Sequence, residues 1–284
     1  MLFKKVTVVG LGLIGGSLAW ALKKSGKVEE VSGVDIEEQT LLYVIRQGIV
    51  DNGSRSIEES LENSQIVVIA TYVGLIPSIA KAVVECSSPA TTLTDVGSVK
   101  SCVVEEIESF IPPEYCFVGG HPLSGTEHSG ITFANPNLFN SKRCILTPTS
   151  KTSLSALNKV KSLWEAIGAS VFTMDPETHD RVFAFVSHLP HAVAYTLINT
   201  VASVRVAENI FNFAGGGLKD FTRISESTPE MWSEILLANR RHLIDSIKAF
   251  KKEMDKLHLA IENNSFDELN EYLRRAASTK KSVN

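Results

Sequence analysis

The sequence predicts an α/β domain with a doubly wound parallel sheet, followed by an all-α domain. Short apolar strands alternate with helix-compatible segments through the first half of the chain. A glycine-rich turn joins the first strand to the first helix, and beyond residue 175 apolar residues recur at helical spacing almost to the end. We therefore predict one domain over residues 1–175 and a second over residues 176–284.

Composition and charge limit the classes of structure and partner. The 284 residues include 28 Lys and Arg against 32 Asp and Glu, so the formal net charge is −4. Because no basic excess marks a nucleic-acid surface, we predict no nucleic-acid partner. Hydrophobic residues make up 44% and charged residues 21%, which is ordinary for a globular chain with a sizeable core. These values exclude global disorder, collagen and coiled-coil repeats.

The cysteines and the apolar runs indicate a reducing compartment. None of the four cysteines forms a C-x-x-C pair or lies in a tight His/Cys cluster, so we predict free thiols, no disulfide framework and no metal site. The uncharged run Val6–Leu22 follows two lysines as in a signal peptide, but glycines interrupt it and it is too short to span a membrane. The apolar stretch Val182–Ala207 contains histidine, proline and arginine. We expect a cytoplasmic protein with no membrane partner.

The segment after the first strand carries a nucleotide-binding pattern. The strand KVTVV leads into G-x-G-x-x-G at residues 10–15 and then into a helix-compatible run. In this pattern Gly10 allows a tight turn, Gly12 lets a pyrophosphate approach the backbone, and Gly15 lets helix and strand pack closely. The helix N-terminus, at Leu13 and Ile14, presents free N–H groups to the phosphates.

An acidic residue indicates which dinucleotide this pattern favours. The second apolar strand, Val28–Val34, ends in Asp35, twenty positions after Gly15. A carboxylate there accepts hydrogen bonds from the ribose hydroxyls and repels a 2′-phosphate, so we predict a Rossmann-type domain that binds NAD rather than NADP. The alternative is that Asp35 only caps a turn at the strand end.

Three further apolar runs extend the predicted sheet, and helical segments alternate with them. The predicted strands are Gln65–Ala70, Thr91–Val96 and Cys116–Gly119, and the predicted helices are Leu75–Val84 and Lys100–Phe110. Ligands lie beyond the carboxyl ends of parallel strands. We therefore expect three polar loops to converge on one crevice: Thr71–Val73, with Thr71 at the cofactor, Asp95–Ser98 and His121–Gly125.

The second half of the chain is predicted to be helical after a short strand, Ala169–Met174. The predicted helices are Thr178–Asn199, Val201–Phe211, Met231–His258 and Phe266–Ala277. The helices from Met231 onward carry more apolar residues than one small domain needs, among them Leu236, Leu237, Leu243, Ile244, Ile247, Phe250 and Leu257. We predict that this domain forms a homodimer interface; the alternative is packing within the domain.

Two polar residues stand at the predicted strand ends. Ser98 is suited to donate a hydrogen bond to a substrate oxygen, or to N-cap a helix that starts at Val99. His121 follows a buried strand in a loop held by glycine and proline. Near neutral pH a histidine there can take the hydroxyl proton of an alcohol while hydride leaves the same carbon. The alternative for His121 is a structural loop histidine.

The helical half carries two more polar constellations. His188 and His191 are three residues apart and share a helix face. We predict that His191 contacts the substrate; the alternatives are core hydrogen bonding and a metal pair that lacks a third ligand. Three consecutive glycines, Gly215–Gly217, imply an unusual backbone or the close approach of a ligand. Arg223 follows them and offers a forked cation for a carboxylate, or alternatively an interdomain salt bridge.

Five segments of the chain form an ordered set: GLGLIGGSLA, DVGSVK, GGHPLSGTEHSG, SHLPHAVA and GGGLKDFTRI. This set resembles the prephenate dehydrogenase family of tyrosine biosynthesis over nearly the whole chain. The resemblance implies the oxidative decarboxylation of prephenate to 4-hydroxyphenylpyruvate, with NAD⁺ as the hydride acceptor.

The resemblance also implies roles for the matching positions. His121 resembles the histidine that accepts the proton of the ring C4 hydroxyl, and Ser98 resembles the serine that orients that hydroxyl. Arg223 resembles the arginine that binds a substrate carboxylate, and His191 a residue near the pyruvyl side chain. Gating, ionic or pocket-wall contacts are implied for the remaining matches: Glu127 from the partner side of the site, Lys219, Asp220 and Trp232.

Three alternatives to this function stay open. The first is the same chemistry on arogenate, the amino analogue of prephenate, and the second is a hydroxyacid or pyrroline-carboxylate type of reductase. The third is a catalytically inactive NAD-binding regulator, against which the retention of His121, Ser98 and Arg223 argues. Some family members carry a fused mutase or regulatory domain. The chain has no segment for either, so we expect a monofunctional enzyme, and any tyrosine inhibition would act at the active site.

Overall fold

A mostly parallel sheet organises the first part of the chain. The computed structural model describes residues 1–204, 206 and 210–282. The strands of this described part are β1 (Phe3–Val9), β2 (Val28–Val34), β3 (Asn52–Ser54), β4 (Ile66–Ile69), β5 (Thr92–Asp95), β6 (Cys116–Pro122), β7 (Arg143–Thr147) and β8 (Ser170–Thr173). They lie in the order β3-β2-β1-β4-β5-β6-β7-β8. Strands β1 to β6 are parallel, β7 is antiparallel to β6, and β8 is parallel to β7.

Helices connect these strands, and local sequence signals start and stop several of them. Within the fully described residues 1–175 the α-helices are α1 (Leu13–Ser25), α2 (Glu38–Arg46), α3 (Ile57–Leu61), α4 (Ile76–Cys86), α5 (Ser101–Phe110) and α6 (Leu154–Ala166). Helix α1 ends at Gly26, whose φ of 64° is left-handed. The hydroxyls of Ser56 and Ser153 cap α3 and α6 by accepting from the N–H groups of Glu59 and Ala156.

The helical half follows directly. Its elements are α7 (Pro176–Phe183), a π-helical turn (Ala184–His188), α8 (Leu189–Ser203), α9 (Gly216–Thr222), α10 (Pro229–Ala238), α11 (Arg240–Glu262) and α12 (Phe266–Ser282). The predicted fold class, a doubly wound sheet plus a helical region, is thereby confirmed. By internal packing the chain separates into the units Met1–Asn239 and Arg240–Asn284, and the predicted boundary after residue 175 stays a prediction. In the described part of the chain no helix is long and apolar enough to cross a membrane.

Apolar side chains cover both faces of the sheet. Alternate residues of one strand enter different clusters: Val68 packs on one face, and Val67 and Ile69 pack on the other. The first cluster includes Trp164 of α6. The second includes Trp232 of α10, so this helix packs on the same layer as α4 and α5. The sheet is therefore covered on both sides, as a doubly wound fold requires.

The sheet differs from the prediction at its edges. Strands β3 and β7 were not predicted, and β6 extends to Pro122 rather than ending at Gly119. The extension arises because β6 pairs with the antiparallel β7, where His121 lies opposite Ile145. The prediction that His121 lies in a loop was therefore wrong, since it forms the carboxyl end of a strand.

The helical half also differs from the prediction in detail. The predicted helix Thr178–Asn199 is interrupted by the π-helical turn, and the predicted helix Met231–His258 is interrupted at Asn239. The predicted helix Val201–Phe211 includes residues 205 and 207–209, which lie outside the described residues. Gly215–Gly217 have no left-handed φ, because they form the N-cap and first turn of α9. The prediction of an unusual backbone there was wrong, and the approach of a ligand stays a prediction.

Candidate active site

The turn after β1 leaves an open space at the N-terminus of α1. Gly10 has a φ of 91°, and a Cβ there would lie 2.7 Å from the carbonyl oxygen of Ala70. A Cβ at Gly15 would lie 1.9 Å from the carbonyl oxygen of Gly10, so α1 approaches the turn only because both residues are glycine. At Gly12 a Cβ would meet no atom within 4 Å. The middle glycine thus borders a space that a ligand can fill.

Hydrogen-bond donors line this space. The first N–H groups of α1, including those of Leu13 and Ile14, have no carbonyl partner within the helix. With the helix dipole they favour a phosphate group. Thr71 follows β4 beside Gly10, and its buried hydroxyl has no hydrogen-bond partner among the described residues. This set of donors fits the pyrophosphate of a dinucleotide.

The carboxylate of Asp35 is held in place at the end of β2. It accepts hydrogen bonds from the N–H of Leu11 at 2.7 Å and from the N–H of Glu37 at 2.9 Å. Each carboxylate oxygen keeps a second lone pair. Asp35 therefore both stabilises the glycine-rich turn, as the alternative interpretation holds, and can accept from ribose hydroxyls.

Gly12→Ala should fold normally and bind NAD⁺ about tenfold more weakly, a loss of about 1.4 kcal/mol, because the added methyl group enters the space next to α1. Gly15→Ala is the matched variant, and it should unfold at a lower temperature because its methyl group collides with Gly10. Thermal unfolding with and without NAD⁺ measures both effects. Equal stabilisation of wild type and Gly12→Ala by NAD⁺ would contradict this position for the pyrophosphate.

A buried ion pair ties the loop after β5 to β6. Lys100 and Asp95 are both fully buried and form a direct hydrogen bond. Asp95 also accepts from the N–H of Gly97 and from the N–H of Gly120, both at 2.9 Å. The ammonium group of Lys100 donates to the carbonyl oxygen of Gly120 at 2.8 Å. The loop that carries Ser98 is therefore fixed next to the residue that precedes His121.

Helix α5 is capped from another part of the chain. It begins at Ser101, and the carboxylate of Asp180 accepts the N–H groups of Lys100 and Ser101, each at 2.8 Å. The alternative in which Ser98 N-caps a helix starting at Val99 was therefore wrong. Because Asp180 takes this role, the half-buried Ser98 is not needed as a helix cap.

His121 is buried at the end of β6, with an exposed fraction of 8%. Its Nδ1 lies 2.8 Å from Nε2 of His179, and its ring packs against Phe183 at a centroid distance of 4.8 Å. Burial holds the pKa of His121 well below its usual value, and the nearby His179, Lys100 and His188 lower that pKa further. His121 is therefore a neutral imidazole at pH 7.

The π-helical turn places His188 beside the same loop. Its Nδ1 accepts from the amide nitrogen of Asn239 at 3.0 Å, and that amide also donates to the carbonyl oxygen of Asp180 at 2.8 Å. Burial lowers the pKa of His188 to about 4, while the charge of Asp180 partly opposes this. His188 is thus a neutral residue that links the turn to α7 and α10.

His191 and Trp232 form a stacked pair. Their ring centroids lie 3.6 Å apart at an interplanar angle of 21°, and His188 meets the same indole edge-on. Nδ1 of His191 lies 2.9 Å from the carbonyl oxygen of Ser187, and burial lowers the pKa of this histidine. Nδ1 of the neutral ring therefore donates to that carbonyl, and Nε2 is an acceptor. His188 and His191 thus share a helix face that packs on Trp232.

Arg223 and Glu127 contact each other in this structure. The Nη1 of Arg223 lies 2.8 Å from Oε2 of Glu127, and the guanidinium is largely exposed. The pKa of Glu127 is lowered by its own main-chain N–H and by Arg223, while partial desolvation opposes this. Lys219 lies exposed on α9, one turn before Arg223. The pairing within one chain matches the salt bridge that was the alternative for Arg223.

Sequence reasoning missed several residues that surround His121. His179, Asp180, Lys100 and Asn239 are all buried around it or its immediate neighbours. The sequence signal that could have pointed to them is the adjacent titratable pair His179-Asp180 in a predicted helix. The structure shows that both side chains are buried. Across residues 1–204, 206 and 210–282, no group of three or more His, Cys, Asp or Glu side chains is arranged to hold a metal ion.

Comparison with protein families assigns both halves of the chain. Residues 18–173 match the nucleotide-binding domain of prephenate dehydrogenase, and residues 175–275 match its dimerization domain. The chain is 34% identical over 279 residues to prephenate dehydrogenase from Bacillus subtilis, which covers 95% of this chain and 74% of that protein.

Solved structures share the fold over the full length. Prephenate dehydrogenase from Aquifex aeolicus, in complex with hydroxyphenyl propionate and NAD⁺, superposes with a TM-score of 0.93 at 38% identity over 99% of this chain and 98% of that one. Arogenate dehydrogenase from Synechocystis superposes with a TM-score of 0.84 at 30% identity over 99% of this chain and 100% of that one. The glycine-rich turn and the buried histidine at the carboxyl end of β6 agree with these matches. The chain belongs to the prephenate dehydrogenase family.

Proposed function

We propose that this chain catalyses the NAD-dependent oxidative decarboxylation of prephenate to 4-hydroxyphenylpyruvate and CO₂, a step of tyrosine biosynthesis. The chain is an NAD-dependent oxidoreductase by family. The reaction is chosen on the position and state of His121. It is a buried, neutral imidazole at the carboxyl ends of the strands, where the nucleotide-binding turn also lies. The similarity to prephenate dehydrogenases at 34% and 38% identity supports it.

In the proposed reaction His121 is the general base for the ring C4 hydroxyl. NAD, when bound at α1, supplies the hydride acceptor. Because Nδ1 of His121 faces His179, Nε2 is the nitrogen left for the substrate. A neutral imidazole has that lone pair free at pH 7. Aromatisation of the ring drives the loss of CO₂, so the protein mainly positions the reactants and moves one proton.

Ser98 is proposed to orient the substrate hydroxyl toward His121. The Asp95–Lys100 pair fixes its loop against β6, next to His121. With α5 capped by Asp180, the hydroxyl of Ser98 can serve the substrate. A fixed loop holds this group at low entropic cost, which is what a positioning contact requires.

Arg223 is proposed to bind a carboxylate of the dianionic substrate. The chain has a net charge of −4, so local cations must offset the charge of the substrate. Arg223 pairs with Glu127 in this structure, and a substrate carboxylate would exchange with that glutamate. Lys219 adds a second cation one turn away, and the stacked His191–Trp232 pair is proposed as an adjoining pocket wall.

The cofactor is NAD. A carboxylate at Asp35, followed by Ile36 and Glu37, presents no cation to a 2′-phosphate and repels it. Since Leu11 and Glu37 hold this carboxylate, it cannot turn away from the ribose without breaking two hydrogen bonds.

Arogenate is the second candidate substrate, and one observation favours it. Because Nδ1 of His191 donates to the Ser187 carbonyl, Nε2 can only accept a hydrogen bond while the ring is neutral. An acceptor suits the ammonium group of arogenate better than the keto group of prephenate. The 30% identity to an arogenate dehydrogenase also keeps this substrate open.

Formation of NADH by the purified protein tests the proposal. Prephenate and arogenate are offered in parallel, each with NAD⁺ and with NADP⁺. We expect turnover with prephenate and NAD⁺, and much lower turnover with NADP⁺. Preference for arogenate would replace the proposed substrate. Absence of turnover with both, in protein that binds NAD⁺, would favour the inactive regulator.

We also propose a homodimer built on the helical half. Helix α8 is largely apolar, yet Ala194 is its one buried residue, and Phe185 and Val186 before it are exposed. A second copy that covers this face fits the match to a dimerization domain. Light scattering should give twice the chain mass of 31.0 kDa, and a monomer at micromolar concentration would contradict the interface.

The cysteines bear on the cellular compartment. All four are free thiols: Cys86, Cys102, Cys116 and Cys144. Free thiols are the rule in reducing compartments, so they support our proposal that the protein works in the cytoplasm.

A further inference from the structure

A chain of buried hydrogen bonds ends on His121. Oδ1 of Asp180 lies 2.8 Å from Nδ1 of His179, and Nε2 of His179 lies 2.8 Å from Nδ1 of His121. The exposed fractions are 2% for Asp180, 0% for His179 and 8% for His121. Asp180 and His179 come from α7, whereas His121 comes from β6. The three hydrogen-bonded side chains therefore connect the helical half to the sheet.

The positions of the protons in this hydrogen-bonded series can be assigned by starting from Asp180. Burial favours the neutral form of Asp180, but hydrogen bonds from His179 and from the N–H groups of Lys100 and Ser101 lower its pKa, so it is ionised. An ionised carboxylate only accepts, so Nδ1 of His179 carries a hydrogen. Burial lowers the pKa of His179, so its ring is neutral and Nε2 is an acceptor. Nδ1 of His121 must therefore donate, which leaves Nε2 of His121 unprotonated.

We propose that His179 and Asp180 are positioning residues that hold His121 in the tautomer with Nε2 free and share the proton that His121 receives. This inference rests on the proposed role of His121 as general base. The substrate O–H bond breaks as an N–H bond forms at Nε2 of His121. The proton on Nδ1 then moves to Nε2 of His179, beside the Asp180 carboxylate.

The stoichiometry of the proposed reaction suits a buried chain. Prephenate loses a hydride and CO₂, and the oxygen that gave its proton becomes a phenolate. That phenolate takes the proton back from Nε2 of His121, and the shared proton returns along the chain. Since no proton has to leave, a closed chain of buried groups can serve the whole cycle.

The surrounding charges favour moving the cation away from His121. The ammonium group of Lys100 disfavours a positive charge on His121 and on His179 alike. The ammonium of Lys100 is already paired with Asp95, whereas the Asp180 carboxylate faces His179 directly. Attraction between His179 and Asp180 is strong because both groups are removed from water. The positive charge is therefore better held at His179.

Two variants of His179 separate tautomer control from proton sharing. His179→Phe removes the acceptor that Nδ1 of His121 contacts in this structure, and we expect kcat to fall by about 10²- to 10⁴-fold. In His179→Gln the amide oxygen can still accept from Nδ1 but cannot take a proton, so kcat should fall by about tenfold or more. KM and NAD⁺ affinity should stay near wild type, and His258→Gln, on an exposed residue of α11, is the matched control. A wild-type kcat in either His179 variant would overturn the proposal.

Nitrogen NMR of ¹⁵N-histidine-labelled wild-type protein tests the tautomer without substrate. We expect a pyrrole-type signal for Nδ1 and a pyridine-type signal for Nε2 of His121, assigned by its loss in His121→Asn. The reverse tautomer overturns the proposal even if both His179 variants misfold. A normal rate with prephenate combined with the reverse tautomer rejects only this inference. The expected tautomer without turnover of prephenate rejects only the proposed substrate.

Discussion

Replacing His121 by asparagine is expected to lower kcat with prephenate by about 10²- to 10⁴-fold, the usual contribution of a general base. Asparagine can still accept a hydrogen bond, but it cannot hold a proton at pH 7. KM should change little, because binding of the substrate charge is assigned to Arg223. Steady-state kinetics with prephenate and NAD⁺ measures the effect.

The pH profile provides the second measurement for His121. The neutral imidazole is the active form, so kcat/KM, which reports the free enzyme, should fall as the pH is lowered through the pKa of His121. Because burial depresses that pKa, the fall should occur below the usual range of a histidine. His121→Asn should lose this acidic limb, and His258→Asn should keep both the rate and the limb. Unchanged turnover in His121→Asn would end its assignment as the base.

Arg223→Gln should raise KM for prephenate by about 10- to 100-fold, because a charge-assisted hydrogen bond contributes about 1.5–3 kcal/mol. The change in kcat should be smaller, since Arg223 is assigned to the substrate carboxylate and not to the reacting carbon. Glutamine keeps part of the side-chain length but lacks the positive charge and the paired N–H donors of the guanidinium group. Kinetics at varied prephenate concentration measures KM and kcat separately.

Lys219→Gln is the matched control for Arg223. It removes one positive charge one helical turn away, on the same exposed segment. If the substrate is held only by the general positive potential of this segment, both variants should raise KM to a similar extent. Our assignment of Arg223 would then be wrong. If the guanidinium binds a carboxylate directly, the effect of Arg223→Gln should be clearly the larger.

The nucleotide end of the molecule was predictable because its determinants are local. The order strand, glycine-rich turn, helix and acidic residue lies within residues 5–35. The geometry at Gly10, Gly12 and Gly15 follows from the absence of a Cβ, which the sequence states directly. Likewise, helical spacing after residue 175 was enough to predict a helical second half.

Ser98 and His121 show where local signals fail. A serine before a helical run is a normal N-cap, yet α5 takes its cap from Asp180, 80 residues from Lys100. A histidine after glycines and before proline suggests a loop, yet pairing with β7 makes it part of a strand. In both cases a distant segment supplies a better hydrogen-bond partner than the neighbouring residues do.

By itself the sequence determined the fold class, the dinucleotide turn, the acidic residue at the end of β2 and the family, because each depends on residue types at short, regular spacing. Only the tertiary structure decided what surrounds His121. His179 lies 58 residues away in the sequence, and its ring reaches His121 because α7 packs against the N-terminal end of α5, where Asp180 binds the N–H groups of Lys100 and Ser101. Such contacts depend on how the whole sheet and its helices pack. Periodicity and propensity carry no information about hydrogen bonds between segments so far apart.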